Sequence, residues 1–202
     1  MDTAVSGREW MLPEEALPVR LMATVWADVT GPHDDLDTAE DLTAWLDAVD
    51  LDRAGHSATA AELALARRLR DAVRRLAAHV TGDERDATQS GAGNGAGNVE
   101  AAVRDVNDAV AHLPAPRIAL TDGVLRATSA SGGSAITAAL ARVADEAITL
   151  LGSPEADKLR ACYAPGCVLY FMKTHPRREW CSVTCGNRVR AARHYDKVRS
   201  TR

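Results

Sequence analysis

All four cysteines of this 202-residue chain lie within 24 residues near its end: Cys162-Tyr-Ala-Pro-Gly-Cys167, a thirteen-residue gap, then Cys181-Ser-Val-Thr-Cys185. Two close pairs at this separation are a four-thiolate metal pattern. Zinc takes four such ligands in a tetrahedron at about 2.3 Å each. A turn containing Pro165-Gly166 can fold two sulfurs toward one point, and thiols four residues apart on a helix emerge on one face. Ser182 is placed to cap that helix, whose N-terminus also favours thiolate charge. Disulfides are disfavoured because the first twenty residues lack the basic and apolar regions of a secretory leader. A redox pair is disfavoured because neither spacing is C-x-x-C. His175 could replace one thiolate, but four cysteines already fill the shell. A filled shell leaves no open coordination position, so the expected cofactor is one structural zinc ion rather than a catalytic one.

Basic side chains gather around these ligands. Residues 157–202 hold eleven Lys and Arg against three Asp and Glu, whereas the rest of the chain holds 13 against 25. An acidic body with a basic tail directs the tail toward a polyanion, although a solvated basic helix that binds nothing has the same composition. On the helix expected from about Ser182 to Arg199, Arg190, Arg193 and Lys197 share a face at i, i+3, i+7. Lys173, Arg177 and Arg178 form a second group ahead of it. Arginines along one helix can lie against phosphates or fork onto guanine edges in a major groove. Arg188 has two readings, contact with DNA or bracing of the metal module. Gly186, Asn187 and Trp180 are expected to shape the site. VLYFM and RREW are expected to form the arms of a short hairpin around THPR. Knuckle, hairpin and helix together make a treble-clef-like zinc finger.

The elements that must carry this module read as helices. Residues 1–20, with Pro13, Pro18 and several acids, are expected to be poorly ordered. Leu21 to Val29 is a first helix or a buried strand, and GPHDDLD a loop. Thr38 can cap a helix with Leu42, Trp45, Leu46 and Val49 on its inner face, Asp41 standing three residues on. Thr59 and Glu62 open a longer helix with an apolar stripe of Leu63, Ala66, Leu69, Val73, Leu76 and Val80. Its arginines 67, 68, 70, 74 and 75 are expected to face solvent. Residues 81–98 hold five glycines and read as a flexible loop. GAGNGAGN lacks the Lys-Ser/Thr and preceding strand of a phosphate site. A third helix is expected from about Val99 to Leu113 on Val99, Val103, Val106 and Val110. Asp122-Gly123 marks a hairpin in RIALTDGVLRATS. A fourth helix runs from Ser134 to Leu151, ended by Gly152 and Pro154. The expected class is mainly α with a small β-hairpin, a helical domain over residues 21–156 followed by a zinc finger over 157–202.

Apolar residues make up 46% of the chain, and no apolar run reaches the length of a bilayer span, so a cytoplasmic protein without membrane contact is expected. His33, His56, His79 and His112 are scattered, and no cysteine precedes Cys162. Nothing in the body forms a catalytic constellation, so no enzymatic activity is expected. Asp34, Asp35 and Asp37 are as well explained by a polar loop as by a carboxylate cluster. Trp26 and Trp45 are expected in the core.

Trp180-Cys181-Ser182 followed by Cys185-Gly186-Asn187-Arg188 resembles the signature of the CGNR zinc finger family of bacterial proteins. ACYAPGC, YFMKTHPRREWCS and CGNRVRAARHY extend the likeness over nearly the whole tail. The body is similar to the ABATE domain usually joined to that finger, through DDLDTAEDLTAWL, VRDVNDAV around Asn107, and ADEAITLLGSPEADKLRAC. The spacing Cys181-x3-Cys185 departs from this pattern by one residue relative to many members. The resemblance implies a stress-induced transcription regulator, its finger binding DNA and its body sensing or regulating. A small-molecule effector in the body and a homodimer reading a two-fold operator are both compatible with it. Two other readings stand beside the regulator. One is a zinc-scaffolded protein-interaction module, and the other a small-molecule-binding protein with a pocket in the helical body.

Overall fold

The computed structural model describes residues 9–85, 98–130 and 132–200; most of the glycine-rich stretch and the first eight residues lie outside the described residues. Helix α1 (Leu17–Met22) leads into the antiparallel pair β1 (Val25–Asp28) and β2 (Gly31–Asp34). Helices α2 (Ala39–Ala48), α3 (Ala60–Thr81) and α4 (Val99–Val110) follow. The hairpin β3 (Ala115–Thr121) and β4 (Val124–Ala130) precedes α5 (Ala135–Leu151). A short 3-10 turn (Pro154–Lys158) then leads to β5 (Leu159–Ala161), β6 (Tyr170–Met172) and α6 (Val183–Ser200). The three strand pairs form three separate two-stranded sheets. The fold is mainly helical, as the residue patterns predict.

Local chemistry starts the helices where the sequence places them. Thr38 accepts from the Asp41 amide at 3.2 Å, and the Asp41 carboxylate accepts from the Thr38 amide at 2.7 Å, a reciprocal capping box. Thr59 and Glu62 repeat it at the head of α3, and Ser134 caps α5. Each cap stabilises its helix by about 1 kcal/mol. Gly82 closes α3 in the left-handed region, at φ 58°, where a Cβ would be strained. Helix α3 is the hub, packing against α1, α2, α4, α5 and β5. Trp45, Leu46, Leu69, Ile136 and Leu140 form the centre of the apolar core.

Several expectations change. The N-terminal segment is structured from before α1: Trp10, Leu12 and Leu17 pack on the core, and Val19 is fully buried. Leu21–Val29 is neither one helix nor one strand but the end of α1 followed by the whole of β1. GPHD is not loop but strand β2, pairing His33 with Trp26, so the body holds two hairpins rather than one. The inner face of α4 is Ala102, Val106 and Ala109. Helix α4 also stops at Val110, and its Val103 is half-exposed.

The largest correction concerns the arginines of α3. Arg74 is 0% exposed and Arg70 nearly so, and only Arg68 of the five is open to solvent. Arg70 grips Asp34 with two bonds, at 2.6 and 2.9 Å, and reaches Asp71 at 3.1 Å. Burial opposes its charge, but these carboxylates more than offset it and raise its pKa. Arg67 donates to the Leu36 carbonyl and to Asp37. The acidic loop residues thus serve as partners: Asp34 for Arg70, Asp37 for Arg67, and Asp35 as acceptor from the Trp26 indole at 2.9 Å. Trp45 lies in the core as expected, whereas Trp26 is half-buried and stacks on His33 at 4.2 Å.

Body and tail share a core. Leu159, Ala161, Tyr170 and Met172, all from β5 and β6, pack in the same apolar cluster as the body helices. Arg74 donates to the Met22 carbonyl at 2.7 Å and to the Val168 carbonyl at 3.0 Å, linking α1 to the tail. Burial lowers its pKa to about 10, so it remains a cation at neutral pH. Beyond Gly82 the chain turns back on the tail. The Asp83 carboxylate, 1% exposed, accepts from Arg85 at 2.6 Å and from the Tyr170 hydroxyl at 2.6 Å. Glu15, expected in a disordered segment, accepts from the Met172 amide at 3.2 Å and pairs with Arg178 at 2.6 Å.

Burial opposes ionisation of Asp83, but Arg85 and Tyr170 outweigh it and hold the carboxyl below its ordinary range. The stability it contributes is complete above the unfolded carboxylate range and is lost as pH falls through the folded value. Asp83→Asn leaves Arg85 buried without its countercharge and should cost about 3 kcal/mol at neutral pH. Thermal melts of variant and parent across acid and neutral pH check this: the gap between them should narrow as pH falls.

Candidate metal centre and nucleic-acid face

Cys162 directly follows β5 and β6 begins three residues after Cys167, so the first ligand pair sits in a knuckle between two antiparallel strands. The Cys162 amide donates to the Leu169 carbonyl and the Cys167 amide to the Ala164 carbonyl, both at 2.9 Å. Gly166 turns the knuckle at φ 71°, a left-handed value that suits glycine. The expected hairpin between VLYFM and RREW does not form; β6 pairs instead with β5, Ala161 opposite Tyr170. Both strands alternate side chains into the body core, which fixes that pairing. RREW is held instead by a side chain, with Arg178 donating to the Met172 and Cys181 carbonyls, each at 3.0 Å, and lying over the Phe171 ring.

The second pair rides on the start of α6. The Ser182 hydroxyl accepts from the Cys185 amide at 3.2 Å, so the shorter spacing of these cysteines still builds a capped helix turn. Gly186 is buried against Trp180; a Cβ here would lie 3.2 Å from the indole. Asn187 and Arg190 hydrogen-bond on the helix surface. Arg188 donates to the Pro165 carbonyl at 2.8 Å, bracing the knuckle from the helix.

The four Sγ atoms lie within 4.8 Å of one another, all buried. Cys167 and Cys181 are 3.8 Å apart and Cys181 and Cys185 3.5 Å. These separations are too long for disulfides and match the edge of a zinc–thiolate tetrahedron, roughly 3.8 Å for bonds of about 2.3 Å. Sulfur contact, first of all with Cys162, and burial push the Cys167 and Cys181 thiols up. Only a cation at the centre lets all four ionise together. The donor set fits zinc: Cys162, Cys167, Cys181 and Cys185 would hold one ion in a closed structural site, as the spacing predicts. Bound there, it ties knuckle to helix.

An outer ring of donors comes from the body and escaped the sequence reading. The Arg85 guanidinium donates to the carbonyls of Cys162, Cys167 and Leu169 at 3.1–3.3 Å and lies 4.9 Å over Tyr170. The only sequence signal is an acid–base pair, Asp83 and Arg85, directly after a helix-ending glycine.

The basic residues divide into two groups. Arg178 and Arg188 are turned inward onto backbone carbonyls. Arg177, Arg190, Arg193 and Lys197 are exposed and Lys173 is half-exposed. On α6 only Cys185, Gly186 and Val189 are buried, and beyond Val189 the side chains are exposed apart from the half-buried Ala192.

The ABATE family model, described as "Putative stress-induced transcription regulator", matches residues 15–154. The CGNR zinc finger model matches residues 158–198. No curated protein matches the chain. Among the described residues, no helix is long and apolar enough to cross a membrane.

Arg85→Ala removes three hydrogen bonds from the knuckle carbonyls without touching a ligand. Outer partners of this kind commonly change metal affinity by about ten- to a hundredfold. The zinc-loaded variant should lose its metal to a chelator faster than the parent by such a factor, read with a colorimetric zinc indicator.

Proposed function

The chain belongs to the ABATE family, and from that membership and the geometry of its finger we propose that it is a zinc-dependent, DNA-binding transcription regulator. It acts by binding rather than by catalysis, since four thiolates leave the metal no open position. The observation that carries the reading is the part of α6 beyond Val189. It projects from a closed metal core and presents Arg190, Arg193 and Lys197 at i, i+3, i+7. A helix of this kind fits a major groove about 12 Å wide. Lys173 and Arg177, ahead of the helix, can meet the flanking phosphates. Arg178 and Arg188 are left out of the contact set because their guanidinium groups serve the finger itself. The stress response is the process in which such a regulator would act, given the family.

A second reading, a body that senses a small molecule, rests on a groove of about 440 Å³ between α3, α4 and α5. Leu76, Val80, Val103 and Ile148 give it apolar walls, with His79 and Asn107 as its polar groups. An effector there would act on the same regulator rather than replace it.

Fluorescence anisotropy of the full-length, zinc-loaded protein with pooled genomic fragments tests the proposal. Tight binding should be confined to a few fragments, with a logarithmic salt slope near -4 to -5 if about five phosphates are neutralised. Arg190→Ala/Arg193→Ala should weaken it by about tenfold or more with unchanged zinc content. Binding that ignores both salt and the double substitution would refute the proposal.

A further inference from the structure

Strands β3 and β4 are seven residues each and pair along their whole length around Asp122-Gly123, both at positive φ. Such a turn suits a two-residue hairpin. The hairpin makes no substantial contact with any other described element, and its large apolar side chains are open: Ile118 72% exposed, Leu120 69%, Leu125 66%. These are not scattered. Side chains alternate across a strand, and the register sets Leu120 opposite Leu125 and Ile118 opposite Ala127 on one face. Pro116 and Ser129 complete it, and no charge lies on it. The reverse face carries Arg117 and Arg126.

A lone two-stranded hairpin is marginal in water, and a long exposed apolar face is a liability that proteins cover or interrupt. Here it is neither covered by a described element nor interrupted by charge. We propose that the hairpin is a self-association arm, and that its apolar face is covered by the same face of a second copy of this chain. The neutral face meets itself across a two-fold axis without opposing like charges, whereas two reverse faces would bring arginines together. Stacked faces would lie about 10 Å apart, the usual spacing of packed sheets. The two faces together bury on the order of 1,000 Å², the lower bound for a specific interface. An interface of that size makes a reversible dimer, its population set by protein concentration. The proposal does not depend on DNA binding.

Sedimentation velocity of the full-length, zinc-loaded protein over a range of concentrations tests it, with Leu120→Glu/Leu125→Glu on the apolar face and Thr121→Glu/Thr128→Glu on the reverse face. The parent and the reverse-face variant should both pass from monomer to dimer. The apolar-face variant should dimerise at least about a hundredfold more weakly, since four carboxylates would meet at the two-fold axis. Far-UV circular dichroism and zinc content should be the same for all three, because these side chains support no core. A parent that stays monomeric to several hundred micromolar overturns the proposal. So does a dimer that the apolar-face pair leaves intact.

Discussion

A guanidinium group carries five donors and no acceptor, and this fold turns two guanidinium groups onto backbone carbonyls at the end of α1 and in the knuckle. Arg74 satisfies Met22 and Val168; Arg85 satisfies Cys162, Cys167 and Leu169. A zinc knuckle is short of internal hydrogen bonds because its backbone is bent to aim sulfurs rather than to pair. Left alone it would turn those carbonyls to water. Docked against α3 it must find donors in the protein, and the body supplies them. Asp83 in turn holds Arg85 in place and charge-balanced. Glu15 does the same for Arg178 on the opposite side of the finger. Finger and body are thus two family modules in sequence but one structure in packing.

This explains what the sequence disclosed and what it concealed. Caps and apolar period made α2, α3 and α5 legible, since both signals are local. Asp122-Gly123 announced its hairpin for the same reason, and the four cysteines announced their metal by spacing. The inward arginines were not legible. On a helical projection Arg70 and Arg74 look like any polar residue, and their partners sit in segments with no signal of their own. The weak strands β1 and β2, with Gly31 and Pro32, owe their pairing to neighbours: the Arg70–Asp34 clamp and the stacking of Trp26 on His33. The pairing of β6 was misread because RREW was the nearer candidate. The decisive term was burial of Leu159, Ala161, Tyr170 and Met172 in a core that local reading cannot see.

The finger's positive charge, which composition presents as one quantity, serves two purposes. Arg178 and Arg188 are spent on the finger's own carbonyls; Lys173, Arg177, Arg190 and Arg193 remain directed outward. The acids of the body are similarly divided. Asp34, Asp83 and Glu15 are internal countercharges, so the net charge overstates the negative field that the body presents to an approaching polyanion.

The outer part of α6 has a thermodynamic consequence. From Arg190 onward nothing of the helix is buried, and a helical segment of that length without tertiary support is marginal in water. Its anchorage in the fold is confined to the first turns, which bear Cys185, Gly186 and Val189. Any partner that grips the segment therefore completes a helix as it binds. Such association carries an entropic penalty and a heat-capacity decrement larger than rigid docking of the same surface would give. The metal sets only where that ordering begins.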